Sequence, residues 1–159
     1  MHKPHEVVIG SDHAAYRLKE RIKNHLASLD IPFSDIGAVN ETSIDYSDIG
    51  IRLATAVSRG DFPRGILMCG TGIGMSMVAN RFAGVRAALC GDLFSAIMSR
   101  RHNNANVLVM GGRMIGEDLA LAMVDAWLAT AFDGDRHQRR IERFERLGQV
   151  ELEKTEQPL

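Results

Sequence analysis

No stretch of this chain approaches the ~20 apolar residues of a membrane-spanning helix. The opening Met1-His2-Lys3-Pro4-His5-Glu6 lacks the apolar run of a signal peptide. Cysteine is scarce: Cys69 and Cys90 are the two in 159 residues, each at the end of a predicted strand. That argues against a disulfide framework and for a reducing, cytoplasmic setting. Charge of one sign is missing too, with 19 Lys and Arg against 20 Asp and Glu and a net charge of −1. Aromatic residues make up only 6%. The balance gives no global basic bias toward nucleic acid, and the scarcity offers no aromatic stacking platform. No His/Cys spacing matches a known metal site, no internal repeat occurs, and no low-complexity segment interrupts the chain.

What is present is ordinary for a soluble globular protein, at 45% hydrophobic and 25% charged residues. The length fits one domain, residues 1–148, followed by a polar tail, 149–159. Glu6 to Ser11 reads as a buried first strand, followed by Asp12-His13. A helix follows with Ala15, Leu18, Ile22, Leu26 and Leu29 on its apolar face and Lys19, Glu20, Lys23 and Asn24 on its wet side. Ile31 to Ile36 forms strand two, and residues 38–48 a polar loop containing Asp45-Tyr46. Ser47 to Arg59 is a helix on Ile49, Leu53, Ala56 and Val57. Gly65 to Met68 is strand three, Ile73 to Phe82 a short helix, and Val85 to Cys90 strand four. Asp92 caps a helix through Arg100, and Arg101-His102-Asn103-Asn104 is expected as a loop. Asn106 to Met110 is strand five. Gly116 to Ala131 is a helix on Leu119, Met123, Ala126 and Trp127. A last helix, His137 to Leu147, carries arginines alternating with Glu142 and Glu145, largely a solvated face.

Strict alternation implies a parallel sheet with helices on both faces: a three-layer, Rossmann-like α/β/α sandwich of five strands, expected in the order 2-1-3-4-5, plus a C-terminal helix. Ligands bind such sheets at the carboxyl ends of the strands. Asp12-His13, Cys69-Gly70-Thr71 and Arg113 are expected there, with His102-Asn103 after strand four.

The organising stretch is Gly65-Ile66-Leu67-Met68-Cys69-Gly70-Thr71-Gly72-Ile73-Gly74. Its alternating glycines allow a tight bend and bring backbone N–H groups up to an anion. The spacing is not the dinucleotide fingerprint, because the third glycine arrives one residue early. No Lys-Ser or Lys-Thr follows, so it is not a P-loop. On its own, a strand ending in Cys-Gly is as often a buried small residue and a turn.

With these segments placed, the sequence resembles the type B ribose-5-phosphate isomerase family, which also holds galactose- and allose-phosphate isomerases. The matching segments are Gly10-Ser11-Asp12-His13, Asp45-Tyr46, Cys69 to Gly74, Ala79 to Ala87, Arg101-His102-Asn103, Gly111-Gly112-Arg113 and Arg136-His137-Gln138-x-Arg140. They keep the family's order from residue 6 to about 147. Ala15 stands where the family often has glycine, Ser47 where proline usually follows Asp-Tyr, and Arg81 replaces a frequent lysine.

The resemblance implies aldose–ketose isomerisation of a phosphorylated sugar, without metal or cofactor. Cys69 matches the family's base; Met75 and Ser76 bring no competing carboxylate. His102, with Asp12 nearby, matches the ring-opening group, and Thr71 lines the reacting carbons. The amides of Gly70, Gly72, Ile73 and Gly74 resemble an anion hole for the enediolate. His13, Arg136 and Arg140 match phosphate ligands, with Arg113, Asn103 and Tyr46 as further contacts. Ribose 5-phosphate is the expected substrate, with tetrose, allose or galactose phosphates as alternatives. The expected partner is a second copy, in a homodimer or tetramer with a shared pocket. A non-catalytic sugar-phosphate-binding module and an RNA-binding module are the rivals from other classes. Asp12 also reads as a plain helix cap, and Cys90 as core.

Overall fold

The β-branched run Val7-Val8-Ile9 opens strand β1 (Val7–Ser11), whose five residues are all buried, as a strand covered on both faces must be. The computed structural model describes residues 7–148. Met1 to Glu6 and the tail 149–159 lie outside the described residues. A 3-10 turn (His13–Ala15) leads into α1 (Tyr16–Ser28), followed by β2 (Phe33–Asp35) and α2 (Tyr46–Ser58). Then come β3 (Arg64–Cys69), α3 (Ile73–Ala79), β4 (Ala87–Leu89) and α4 (Leu93–Asn103). The chain continues through β5 (Val107–Gly111), α5 (Glu117–Ala129), α6 (Asp135–Glu145) and a closing 3-10 turn (Arg146–Gly148).

Every strand pair is parallel, and the sheet divides the core in two. On one face Ile9, Met68, Leu108 and Met110 pack with Leu18, Ile22 and Leu26 of α1, Ala96 of α4, and Met123 and Trp127 of α5. On the other, Val8, Leu67, Cys69, Val107 and Val109 pack with Ile49, Leu53 and Val57 of α2 and Met75 and Ala79 of α3. The period of two along β3 therefore turns Cys69 to the same side as Leu67, toward α2 and α3.

The expected strand order does not hold. The sheet runs β2-β1-β3-β5-β4, with β5 inserted between β3 and β4. Burial explains it. Val107 to Gly111 are all buried and suit an interior position, whereas Ala87-Ala88-Leu89 is short and partly exposed. A strand so poor in apolar bulk belongs at an edge. The Asn80 side chain lies along that edge, accepting from Ala87 N–H at 2.9 Å and donating to Ala87 O at 2.9 Å.

Four smaller expectations also change. Leu29 and Leu119, expected on apolar faces, are 48% and 37% exposed, and Ala120 and Val124 take the core positions of α5. Helix α4 does not stop at Arg100. It continues through His102 and Asn103 and ends at Asn104, which adopts φ 45°. Ser47, where the resemblance left the loop shape open, sits in the first turn of α2, a position that tolerates proline as readily as serine. Lys19, assigned to solvent, is fully buried. Its ammonium donates to both Asp35 oxygens, at 2.8 and 2.7 Å, and to Ala38 O at 2.6 Å, pinning the segment after β2 onto α1.

Burial alone would push the Asp35 carboxyl up. Hydrogen bonds from Lys19, Lys23 and the Gly37 N–H outweigh it and hold the group below its ordinary value. Removing one member of a fully buried pair costs about 3 to 5 kcal/mol. Asp35 is partly solvated and Glu20 stands 3.4 Å from Lys19 Nζ, so Asp35→Asn is expected to lose about 2 kcal/mol. A carboxyl depressed in the folded state contributes fully above its unfolded value, about 3.9, and loses the contribution as pH falls through the folded one. Urea midpoints of wild type and Asp35→Asn should be farthest apart at neutral pH and converge below about pH 4. A gap unchanged in acid contradicts this.

Candidate active site

Three loops leave the carboxyl edge of the sheet and are joined by backbone hydrogen bonds. The Asp12 N–H donates to Met68 O at 3.1 Å, fastening the β1 loop to β3. The Gly112 and Arg113 N–H groups donate to Cys69 O and Gly70 O, at 2.8 and 3.0 Å, fastening the β5 loop to the same strand. Glycine is required at two of the contacts. Gly72 adopts φ +78°, and a Cβ there would meet Leu89 at 2.5 Å. A Cβ on Gly111 would lie 2.7 Å from the Thr71 backbone.

Cys69 ends β3, buried at 5% exposure, and its sulfur accepts the Gly72 N–H at 3.1 Å. The loop thus aims a backbone dipole at the sulfur, the contact a thiolate accepts. Thr71 Oγ1 accepts the Ile73 N–H at 3.3 Å. Two of the four amides expected in the anion hole, Gly72 and Ile73, are therefore engaged by the chain's own side chains. Asp12 is 6% exposed and caps the following turn, its Oδ1 accepting the Ala14 and Ala15 N–H groups at 3.0 and 3.3 Å. Capping and a place beside β3 are both true of it. His13 Nδ1 accepts the Ile44 N–H at 3.2 Å, which leaves the proton of a neutral ring on Nε2. The Tyr46 ring lies on Gly74, where a Cβ would meet it at 2.6 Å. Arg113 lies against Gly70, its Nη1 3.5 Å from where a Cβ would stand.

The carboxyl edge therefore assembles Asp12, His13, Tyr46, Cys69, Gly70, Thr71, Gly72, Ile73, Gly74 and Arg113. It does not include His102, Asn103, Arg136 or Arg140. Helix α4 returns from the carboxyl end of β4, so its last turn lies at the amino edge, where Asn104 O accepts Arg86 Nε at 3.0 Å. Along a six-residue strand the two edges are about 17 Å apart. His102-Asn103, expected among the candidates at the carboxyl ends of the strands, thus lies at the opposite edge.

At the amino edge the His102 ring stacks on His137, centroids 4.3 Å apart and planes within 6°. Asp133 completes a group whose ligand atoms lie within 4.8 Å of one another. The carboxylate is occupied by Arg101, at 3.1 to 3.2 Å. Because the imidazole planes are nearly parallel, their in-plane lone pairs do not converge on one point, as ligation requires. The surroundings are cationic: Arg136 and Arg140 are exposed on α6, and burial, then Arg64 and Arg86, push Arg100 down to about 10. Cys90 is core as expected, its thiol pushed up by burial. Sequence reasoning assigned no role to His137 or Asp133. The available signal was their spacing of four residues across the turn into α6.

A parallel sheet carrying a glycine loop and a buried thiol at its carboxyl edge defines an α/β enzyme built to handle an anion. Residues 7–144 match the family model described as Ribose/Galactose Isomerase. Ribose-5-phosphate isomerase B of Escherichia coli is 42% identical over 137 residues, 86% of this chain and 92% of the relative. D-erythrulose-4-phosphate isomerase of Pectobacterium atrosepticum is 41% identical, over 87% of this chain and 91% of its own. The crystal structure of ribose-5-phosphate isomerase B from Mycoplasma genitalium with bound ribulose-5-phosphate superposes with a TM-score of 0.89 at 35% identity, covering 94% and 100% of the two chains. The chain belongs to the ribose/galactose isomerase family.

The two close approaches at the loop differ in kind. Gly111→Ala drives a methyl into backbone, which cannot swing aside, and should lower Tm by several degrees, ~2 kcal/mol in a domain of this size. Gly74→Ala meets only the half-exposed Tyr46 ring, which can rotate away. Its Tm should stay within about 2 °C while the Tyr46 ring resonances move. Equal Tm losses would mean that Tyr46 is as rigid as the loop.

Proposed function

We propose that this chain isomerises ribose 5-phosphate and ribulose 5-phosphate through a cis-enediolate, with Cys69 as the base. The observation that carries the reading is the Cys69 sulfur held by the Gly72 amide, 3.1 Å away, at the carboxyl edge of a family member's sheet. Ring opening comes first: a proton leaves the anomeric hydroxyl and one is delivered to the ring oxygen, a task suited to imidazole near neutral pH. In this reading His102 serves it, with Asp12 alongside. The Cys69 thiolate then takes the C2 proton, the electron pair forming the C1–C2 double bond as negative charge gathers on O1. The Gly70 and Gly74 amides receive that charge, where one lost donor is worth about 3 kcal/mol. The thiol returns its proton to C1 on the same face, and the O2 proton passes to O1, beside Thr71. The product is a ketose with atoms and charge balanced. His13 Nε2–H and Arg113 hold the phosphate from one side.

His102, Asn103, Arg136 and Arg140 complete the site from a second copy in a two-fold dimer. Supporting this, they share one edge, and a set of exposed apolar side chains surrounds the other: Ile73, Met77, Leu89, Leu93, Phe94 and Met114. A two-fold axis makes the exchange reciprocal, giving two equivalent sites per dimer. A second reading keeps the chemistry and shortens the sugar to a tetrose phosphate, favoured by the relative that acts on D-erythrulose 4-phosphate. A panel of four-, five- and six-carbon aldose phosphates separates these readings. Incorporation of solvent deuterium separates all of them from a binding module.

Cys69→Ala should keep the fold and phosphate affinity while reducing turnover and deuterium exchange by at least about 10³-fold, since the C2 base is gone. Cys90→Ala should stay within about threefold of wild type. Persistent exchange in Cys69→Ala rules the base out.

Mixing Cys69→Ala with His102→Asn or Arg136→Ala/Arg140→Ala protein should raise turnover of ribose 5-phosphate above that of either variant alone. In a hybrid dimer one pocket receives both intact halves and the other both defects, so up to about one quarter of wild-type activity returns after statistical exchange. If mass spectrometry shows hybrids and none of the pairings recovers turnover, the shared pocket is wrong.

A further inference from the structure

His102 sits in the last turn of a helix, half-buried, where a side chain with two rotatable bonds samples several rotamers. An acid–base group is effective only near its productive geometry, and a misplacement of about 1 Å can cost 10²-fold. Something has to hold the ring. Among the described residues the stack supplies that hold: the His137 imidazole covers one face of the His102 ring, centroids 4.3 Å apart.

His137 is itself well fixed. It is 7% exposed, on the first turn of α6, and its N–H donates to Gly134 O at 2.9 Å. The loop before it is tied to α4 one residue from His102. The Asp133 N–H donates to Arg101 O at 3.0 Å, while Arg101 Nε donates to both Asp133 carboxylate oxygens at 3.2 Å. Two elements distant in sequence are thus locked in register at the point where the rings meet. Charged groups facing the stack are Arg101 on α4, Asp133 in the loop, and Arg136 and Arg140 on α6. Burial first, then His102, Arg136 and Arg140, push the His137 imidazole down, against the smaller opposing pull of Asp133.

We propose that His137 is the positioning residue for His102: its buried ring, stacked flat and anchored through the Arg101–Asp133 pair, fixes the plane in which His102 presents its nitrogens to the sugar. The proposal rests on the reading of His102 as the ring-opening group. It also separates His137 from Arg136 and Arg140, which bind phosphate in that reading. His137 acts through His102 and touches no substrate atom.

The test uses the full-length wild type and His137→Ala, His137→Phe, His102→Asn and the double variant His102→Asn/His137→Ala. On ribose 5-phosphate, His137→Ala should lower kcat at least about tenfold with KM within about threefold. On erythrose 4-phosphate, which cannot close a ring, it should match wild type. His137→Phe, which keeps a flat ring and removes titration, should recover kcat to within about threefold of wild type. The double variant should be no slower than His102→Asn alone, because a residue acting only through His102 has nothing left to position. In the wild type the His102 ring protons should carry an upfield ring-current shift, lost in His137→Ala and retained in His137→Phe. Multiplicative losses in the double variant, a rise in KM alone, or no ring-current shift in the wild type would each overturn the proposal. Failure of the underlying reading looks different: His102→Asn would then slow both sugars equally. The double-variant comparison and the ring-current shift still decide the positioning role in that case.

Discussion

The carboxyl edge depends on how closely two stretches of backbone can approach. The β5 loop donates two N–H groups to the carbonyls of Cys69 and Gly70, and it reaches them only because Gly111 presents no side chain to the Thr71 peptide. That contact sets the path of the glycine loop. The path in turn sets Gly72 in its left-handed turn, its N–H on the Cys69 sulfur, and Gly74 under the Tyr46 ring. A site assembled from backbone is rigid in the way preorganised catalysis requires, since its donors need no reorientation when charge appears. Side chains are then added to a frame that already exists.

Much of this was legible in the sequence, for physical reasons. The alternation of apolar strands with helices of period 3.6 predicts the parallel sheet. The Cys-Gly-Thr-Gly-Ile-Gly run predicts a tight bend, and the sheet and the bend both hold. Strand order was not legible, because it turns on a comparison of strands. Val107 to Gly111 outcompetes Ala87 to Leu89 for the place beside β3 by apolar bulk, and neither segment announces its neighbour. Lys19 misled by its charge. A lysine between Leu18 and Glu20 reads as wet until Asp35, sixteen residues on, supplies the counter-charge. The stack of His102 on His137 was hidden for a third reason. It needs α4 to run three residues past Arg100 and α6 to dock against it, and no local pattern encodes that docking.

The fold itself divides the chemistry. In a parallel sheet every helix carries the chain back to the amino edge, so residues late in a helix and residues at a strand end are held apart by the length of a strand. His102, Arg136 and Arg140 are on helices and Cys69 is at a strand end, so one chain keeps these three groups away from the thiol while His13 and Arg113 stay beside it. In the proposed dimer, pairing two chains would let them meet without lengthening any loop.

The carboxamide of Asn80 closes the sheet at β4. By taking both the N–H and the carbonyl of Ala87, it stands in for the strand that would otherwise be the next neighbour. At high concentration, two such molecules that collide edge to edge find these groups already taken. The β4 border therefore resists the sheet-to-sheet polymerisation that threatens open parallel sheets, and a single primary amide gives it that colloidal restraint.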